Sequence, residues 1–313
     1  MTAQFSGVVL SPCERAANHV RVSMVGMVAI AFAMMSILAS AEDGKGSANR
    51  SEMDTEHLFG FTEGTSIGEK GERELEIDST VRAGKGSGSF VDPTSEFEFK
   101  YTAFENFRIS AAATLAYFDI SSVPGIVDTQ HGAAQSASFN ARFRLLDRDH
   151  APVGLTLSLE PHWGFVDETS GVPASHFGTE IVMRADRELA PDFLYGAVNV
   201  LFQNDRTRAV ASDGLLHESL LGFGFGVAAQ VRPGIWLGGE VRYLRNYDGS
   251  YLDVFSGQAV YFGPTFYARL GPNAWLSAAW NVQLWGSNVT TPGELDLTDF
   301  ERYQFKFRVG VDF

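Results

Sequence analysis

The sequence predicts an all-β protein, a transmembrane up-and-down antiparallel β-barrel of about twelve strands. Three observations carry that expectation. Apolar and polar residues alternate with a period of two along most of the chain after residue 71. The gaps between these runs are by turns long and short. The final run places an apolar residue at every second position up to Phe313. Period two marks strands with one apolar face.

The chain opens differently. Arg15 and Arg21 precede an apolar run from Met24 to Leu38, followed by Ala39-Ser40-Ala41. A basic region, a short apolar core and small residues before a cleavage point make a signal peptide over residues 1–41. The run is short for a membrane anchor, which needs ~20 apolar residues. The single cysteine, Cys13, precedes that run within the expected signal peptide, so the mature chain is expected to lack thiols and disulfides. The net charge of −14 argues against nucleic acid, whose phosphates require an excess of Lys and Arg.

The strands follow in order. Leu75, Ile77 and Val81 oppose Glu74, Glu76, Asp78 and Arg82; Phe97, Phe99 and Tyr101 alternate with Glu96, Glu98 and Lys100. Phe107, Ile109, Leu115 and Tyr117 share a face opposite Arg108, Ser110 and Thr114. Phe139, Phe143 and Leu145 oppose Asn140, Arg142 and Arg144, and Leu155, Leu157 and Leu159 oppose Thr156, Glu160 and His162. Ile181 and Met183 oppose Glu180 and Arg184; Val198, Val200 and Phe202 oppose Asn199 and Gln203. Phe223 and Phe225 alternate with Gly222, Gly224 and Gly226. Ile235, Leu237 and Val241 oppose Glu240 and Arg242. Val260, Phe262 and Phe266 form a face that Pro264 interrupts, which predicts a bulge there. Leu276, Trp280 and Val282 oppose Ser277, Asn281 and Gln283. In the last run Tyr303, Phe305, Phe307 and Val309 oppose Arg302, Gln304, Lys306 and Arg308.

A soluble sandwich gives the same string, so the gaps and the aromatics decide. Long gaps (84–94, 119–135, 167–174, 204–214, 246–254, 286–298) alternate with short ones (103–106, 147–152, 187–192, 232–234, 271–274). Up-and-down membrane barrels have that rhythm of long loops at one end and tight turns at the other. Phe104, Phe107, Phe193, Tyr195, Trp236 and Trp275 lie beside the short turns. Tyr117, Trp163, Phe165, Tyr243, Tyr247 and Trp285 lie near the long loops, as two interfacial girdles require.

The terminal strand ending on Phe313 resembles that of Gram-negative outer-membrane barrels. The resemblance implies that Phe313 is a membrane-insertion signal read by the barrel-assembly machinery. The stretch His57-Leu58-Phe59-Gly60-Phe61-Thr62-Glu63-Gly64, with Ile67-Gly68-Glu69-Lys70-Gly71-Glu72 after it, resembles the mature start of uncharacterised proteobacterial outer-membrane proteins, porin-like in kind. On this reading residues 42–70 are a periplasmic N-terminal segment, with Glu42–Glu56 a polar, disordered lead. Residues 71–313 are the outer-membrane barrel, and residues 57–67 either add a strand or enter the lumen.

The polar faces then line the lumen: Glu74, Glu76, Asp78, Arg82, Glu96, Glu98, Lys100, Arg142, Arg144, Glu160, His162, Glu180, Arg184, Glu240, Arg242, Arg302, Lys306 and Arg308. Such charges either line a water path or lock together as a polar core. His162 with Glu160 suggests an acid–base pair, but no serine nucleophile accompanies it, and no catalytic, cofactor or metal site is expected. Gly222, Gly224 and Gly226 are spaced for a strand, not a phosphate loop, and leave room for a bulky neighbour or a pore. The acidic loops, with Asp167, Glu168, Asp248, Asp253, Glu294, Asp296 and Asp299, suit a solvated surface next to lipopolysaccharide. The function expected is a porin-like channel or transporter for an unknown small solute. The alternatives are a non-conducting barrel with a plugged lumen and an outer-membrane lipid-modifying enzyme.

Overall fold

The computed structural model describes residues 53–210, 214–290 and 293–313. The expected signal peptide and Cys13 lie outside the described residues.

The alternating runs become twelve strands: β1 Arg73–Ala83, β2 Ser89–Phe104, β3 Phe107–Ser121, β4 Thr129–Leu146, β5 Gly154–Val166, β6 Pro173–Ala190, β7 Leu194–Ala209, β8 Leu215–Arg232, β9 Ile235–Asp248, β10 Val254–Arg269, β11 Ala274–Asn288 and β12 Tyr303–Asp312. Each pairs antiparallel with its neighbours in the chain. β1 also pairs with β12, from Glu74↔Asp312 to Ala83↔Tyr303, so the sheet closes. Phe313 finishes the seam by exchanging backbone hydrogen bonds with Arg73 at 2.8 and 3.2 Å. Closure gives the strand backbones partners within the sheet, a requirement in a hydrocarbon solvent that offers none. Among the described residues no helix is long and apolar enough to cross a membrane; strands are the elements that can.

Parity decides which way each side chain faces. Phe97, Phe99, Phe139, Phe143, Leu157, Leu159, Ile181, Met183, Phe223, Phe225, Leu237, Val241, Phe262 and Trp280 are exposed on the outside. Their polar strand neighbours turn inward. The long and short connections fall at opposite ends, so the lumen has a loop-side mouth and a turn-side mouth.

Two local expectations need correction. Pro264 does not bulge the strand: it stays in register opposite Gly239, and the shifts of β10 lie at Val260/Tyr261 against β11 and at Phe255/Gly257 against β9. Proline lacks an N–H, and no rung to β11 is formed at Gly263 or Pro264 while the numbering on either side is preserved. The turn-side aromatics also divide. Phe104 and Phe193 are exposed, as a girdle requires, but Tyr195, Trp236 and Trp275 are buried. These three share parity with inward positions, and they pack inside the barrel with Leu58, Phe59 and Tyr267.

Residues 53–70 form no strand. They enter the lumen from the turn side, rise about halfway and return to β1. Phe59, at 0% exposure, and Glu56, at 4%, are among the most enclosed residues of the barrel. The polar lead expected to extend to Glu56 therefore ends before it; a carboxylate surrounded by guanidinium groups has reason to leave water.

At the loop side Phe300 folds in against Leu244, Ala259 and Tyr261, and Lys85 reaches the Asp299 carbonyl at 2.8 Å and the Glu301 carboxylate at 3.6 Å. Asp296, expected on a solvated loop, is buried and accepts hydrogen bonds from the Thr298 and Asp299 amides at 3.2 and 3.1 Å. The carboxylate accepts from amides of the loop's own next residues and so closes a turn within it.

Candidate functional site

The inserted segment is a loop with a tied neck. The Gly64 amide donates to the Thr55 carbonyl at 3.0 Å, and a Cβ on Gly64 would lie 2.3 Å from Thr55 Oγ1. Asp186 on β6 holds both sides of that neck: it accepts from the Thr65 amide at 3.0 Å and from the Thr55 hydroxyl, and Arg148 pairs with it at 3.0 Å.

Above the neck two glutamates meet the wall. Glu56 receives Arg108 through both guanidinium nitrogens, Arg142 at 2.9 Å and Lys100 at 3.3 Å. Glu63 receives Arg184 at 2.8 Å, Arg308 at 3.2 Å and Arg142 at 3.4 Å. Burial alone would raise both carboxyls. The surrounding cations outweigh it and hold each well below the usual carboxylate range, Arg108, Lys100 and Arg142 acting on Glu56, and Arg184, Arg142 and Arg308 on Glu63. His57 lies beside Glu56 at 3.6 Å, stacked on Trp275 at 3.7 Å and 3.3 Å from Glu74. Burial and Lys100 disfavour its charged form, but Glu76, Glu56 and Glu74 prevail and raise its pKa.

Apolar contacts complete the seal. Phe59 fits where β8 has Gly226, on which a Cβ would stand 3.0 Å from the Phe59 Cβ; Thr62 fits over Gly224 in the same way at 2.9 Å. The glycines make room for a bulky neighbour, and that neighbour is the chain's own N-terminal loop. Gly60 turns the apex at φ +88°, a left-handed conformation that other residues rarely adopt. Glu240 caps the apex by accepting from the Phe61 and Thr62 amides at 3.1 and 2.7 Å, and Arg242 lies over the Phe61 ring at 4.2 Å.

Space remains on the loop side. A cavity of about 200 Å³ borders the apex at Phe61, Glu63, Arg184, Arg242 and Lys306. A second, of about 370 Å³, is lined by Arg82, Glu96, Gln135, Glu160, His162 and Glu168. Both touch Glu180.

The residues singled out in the sequence distribute as follows. Glu74, Glu76 and Lys100 surround His57 and Glu56, and Glu98 lies 3.7 Å from Lys100. Arg142, Arg184 and Arg308 grip the loop. Asp78 pairs with Lys306 at 2.7 Å, Arg82 with Asp92, Arg242 with Gln304 at 2.8 Å, and Glu96 with Thr114 at 3.2 Å. Arg144 stands at the turn-side rim, 3.7 Å from Asp147. Arg302 departs from its expected place: it precedes β12, is exposed and lies over the Tyr303 ring at 5.6 Å, because the last strand begins one residue later than the alternation does. His162 faces the lumen but not Glu160, which is bonded to Asn140 at 2.7 Å; its partners are His176 and Asp205. Glu56, Glu63, Arg108, Asp186, His176 and Asp205 were not singled out in the sequence. Parity placed Arg108 inward, whereas entry of residues 57–67 into the lumen was one of two expectations and gave Glu56 and Glu63 no partners.

No curated protein matches the sequence. Among solved structures, the COG4313 outer membrane channel from Pseudomonas putida F1 is similar over 80% of this chain and 98% of that one, at 12% identity and a TM-score of 0.53. The NanC porin is similar over 76% and 98%, at 9% identity and a TM-score of 0.46. At such identity the likeness concerns the fold, that of Gram-negative porin-like outer-membrane barrels. Residues 51–313, the inserted loop included, match one family profile, and the chain belongs to that family, a family of unknown function (DUF6662).

Proposed function

We propose that the protein is an outer-membrane channel for small solutes, anionic ones foremost, held shut by its own N-terminal loop. One observation carries this reading. Five wall cations, Lys100, Arg108, Arg142, Arg184 and Arg308, are each spent on a carboxylate of the inserted loop. When the loop withdraws, those cations face water, and the nearby Glu74, Glu76 and Glu98 offset only part of their charge. A lumen of that kind recruits carboxylates and other small anions. The apolar outer face, the closed sheet and the expected export leader support the membrane location.

A static barrel with a permanent plug is the second reading, favoured by the same ion pairs. Planar-bilayer recording separates the two. The native chain is expected to stay closed with rare openings, and a variant lacking residues 54–66 to conduct steadily, with an anion-selective reversal potential in a salt gradient. If the shortened chain still migrates as a heat-modifiable barrel but carries no current, the channel reading fails and the static barrel stands.

A further inference from the structure

On the loop side of the lumen, three neighbouring strands place two imidazoles and a carboxylate around one point. The register makes this happen in two adjacent rows. His162 on β5, Gly178 on β6 and Asp205 on β7 lie opposite one another; so do Gly164, His176 and Thr207. Each row includes one glycine, and the gap it leaves is filled by a ring. A Cβ on Gly178 would come within 2.2 Å of His162 Nε2 and 1.9 Å of Asp205 Oδ1.

The three atoms so admitted are nearly equidistant. His162 Nε2 lies 3.1 Å from His176 Nε2 and 3.0 Å from Asp205 Oδ1, and His176 Nε2 lies 3.2 Å from that same oxygen. A four-coordinate zinc-like ion with ligands at about 2.0–2.1 Å has ligand atoms about 3.3–3.4 Å apart, so this triangle is close to one face of such a tetrahedron. Glu168, on the loop after β5, brings a carboxylate oxygen within 4.8 Å of a ring nitrogen of each histidine and is the candidate fourth ligand.

The outer contacts suit a ligand set. His176 Nδ1 is 2.8 Å from Thr207 Oγ1, a contact that holds the ring with Nε2 facing the triangle; the tautomer with its hydrogen on Nδ1 can donate to that hydroxyl and offers the Nε2 lone pair to an ion. Asp205 keeps Oδ1 for the triangle because its other oxygen accepts from Gln203 at 2.8 Å. The group lines the 370 Å³ cavity through His162, Glu168 and Gln203, so an ion arriving from the loop-side mouth can reach it.

We propose that His162, His176 and Asp205, completed by Glu168, bind one divalent transition-metal ion of the Zn²⁺, Co²⁺ or Ni²⁺ class inside the lumen. Imidazole with carboxylate favours these ions over Mg²⁺ or Ca²⁺, which prefer oxygen alone. The site requires no movement of the N-terminal loop, so it stands or falls independently of conduction.

Titration of Co²⁺ into the detergent-purified full chain, followed by visible absorption, tests it. One ion per chain with the intense spectrum of four-coordinate Co²⁺, displaced by Zn²⁺, is expected. His176→Ala and Gly178→Ala should abolish the spectrum, the second without removing any ligand. Thr207→Val should weaken affinity about 10- to 100-fold through the lost orienting contact. His217→Ala, on β8 and bonded to Ser250 instead, should change nothing. Heat-modifiable migration establishes that each variant is folded, and His176→Ala suffices should Gly178→Ala not fold. No stoichiometric binding by the native chain, or binding that persists in folded His176→Ala, overturns the proposal and leaves an ordinary hydrogen-bonded triad.

Discussion

Arg108 and Glu56 meet fork to fork, Nη1 on Oε2 and Nη2 on Oε1, with both side chains almost fully enclosed by the barrel. Two parallel charge-assisted hydrogen bonds fix geometry as well as energy. Removing one partner of such a pair leaves the other charged and buried, at a cost of about 3–5 kcal/mol. Glu56→Gln keeps the shape and removes the charge that Arg108, Arg142 and Lys100 share. Amides 54–66 are therefore expected to exchange hydrogen faster in this variant while strand amides keep their protection. Equal exchange in the two proteins would mean that the loop is held by packing alone.

The loop's docking should respond to pH through His57 more readily than through its glutamates. His57 has its pKa raised on docking by Glu76, Glu56 and Glu74, against burial and Lys100. A group with a raised pKa contributes fully below its free value, and that contribution fades as pH rises through the docked value. Glu56 and Glu63 have lowered values, so their contribution is complete above the ordinary carboxylate range and is lost only at pH well below it. Docking is thus firmest in mildly acidic solution and loosens towards alkaline pH. His57→Gln should flatten the alkaline limb of loop exchange plotted against pH; an unchanged slope would assign that limb to another group.

The fit of Phe59 over Gly226 has a separate signature. Gly226→Ala places a methyl 3.0–3.2 Å from three Phe59 atoms, tighter than side chains ordinarily pack. Overpacking of this sort costs about 1–3 kcal/mol. Loop exchange should rise in Gly226→Ala, and Phe59→Ala should loosen the loop through lost burial. The double variant should do less harm than the sum of the two, since the smaller residue 59 leaves room for the methyl. Strict additivity would show that the two positions do not touch.

How much of this was legible depended on what a two-residue period can encode. Twelve strands, their order and the outward set from Leu75 to Phe307 followed from alternation, because the inside and the outside of a barrel wall are different solvents. Parity even assigned Trp236 and Trp275 inward, but their position beside short turns suggested a girdle, and proximity in sequence is a poorer guide than face. The inserted loop was half visible. Gly222, Gly224 and Gly226 announced space for something bulky, and residues 57–67 had the lumen as one of their two expected places, but nothing linked the two. Glu56, read as solvated, is buried because its partners are Arg108, Arg142 and Lys100, 44 to 86 residues further along the chain. The His162–His176–Asp205 triangle was hidden for a like reason: it requires the register of three strands, and no spacing within one strand reveals it.

The outward face makes a last prediction whose sign distinguishes lipid from water. Phe225 lies near the middle of β8 at 50% exposure, flanked by the inward-facing Gly224 and Gly226. If hydrocarbon surrounds it, Phe225→Arg should destabilise the barrel by about 2–4 kcal/mol, the cost of a guanidinium near the bilayer midplane. If water surrounds it, the same change removes an oily surface patch and leaves stability within about 0.5 kcal/mol. Unfolding by denaturant in lipid vesicles, compared between native chain and variant, gives the difference directly. Phe104→Arg, at the turn-side rim, is the matched control: there the penalty falls to about 0–1 kcal/mol, because the side chain reaches the headgroups. A large loss at residue 225 with a small one at residue 104 maps the depth of the apolar belt. Equal small losses at both would remove the membrane from the description of this barrel.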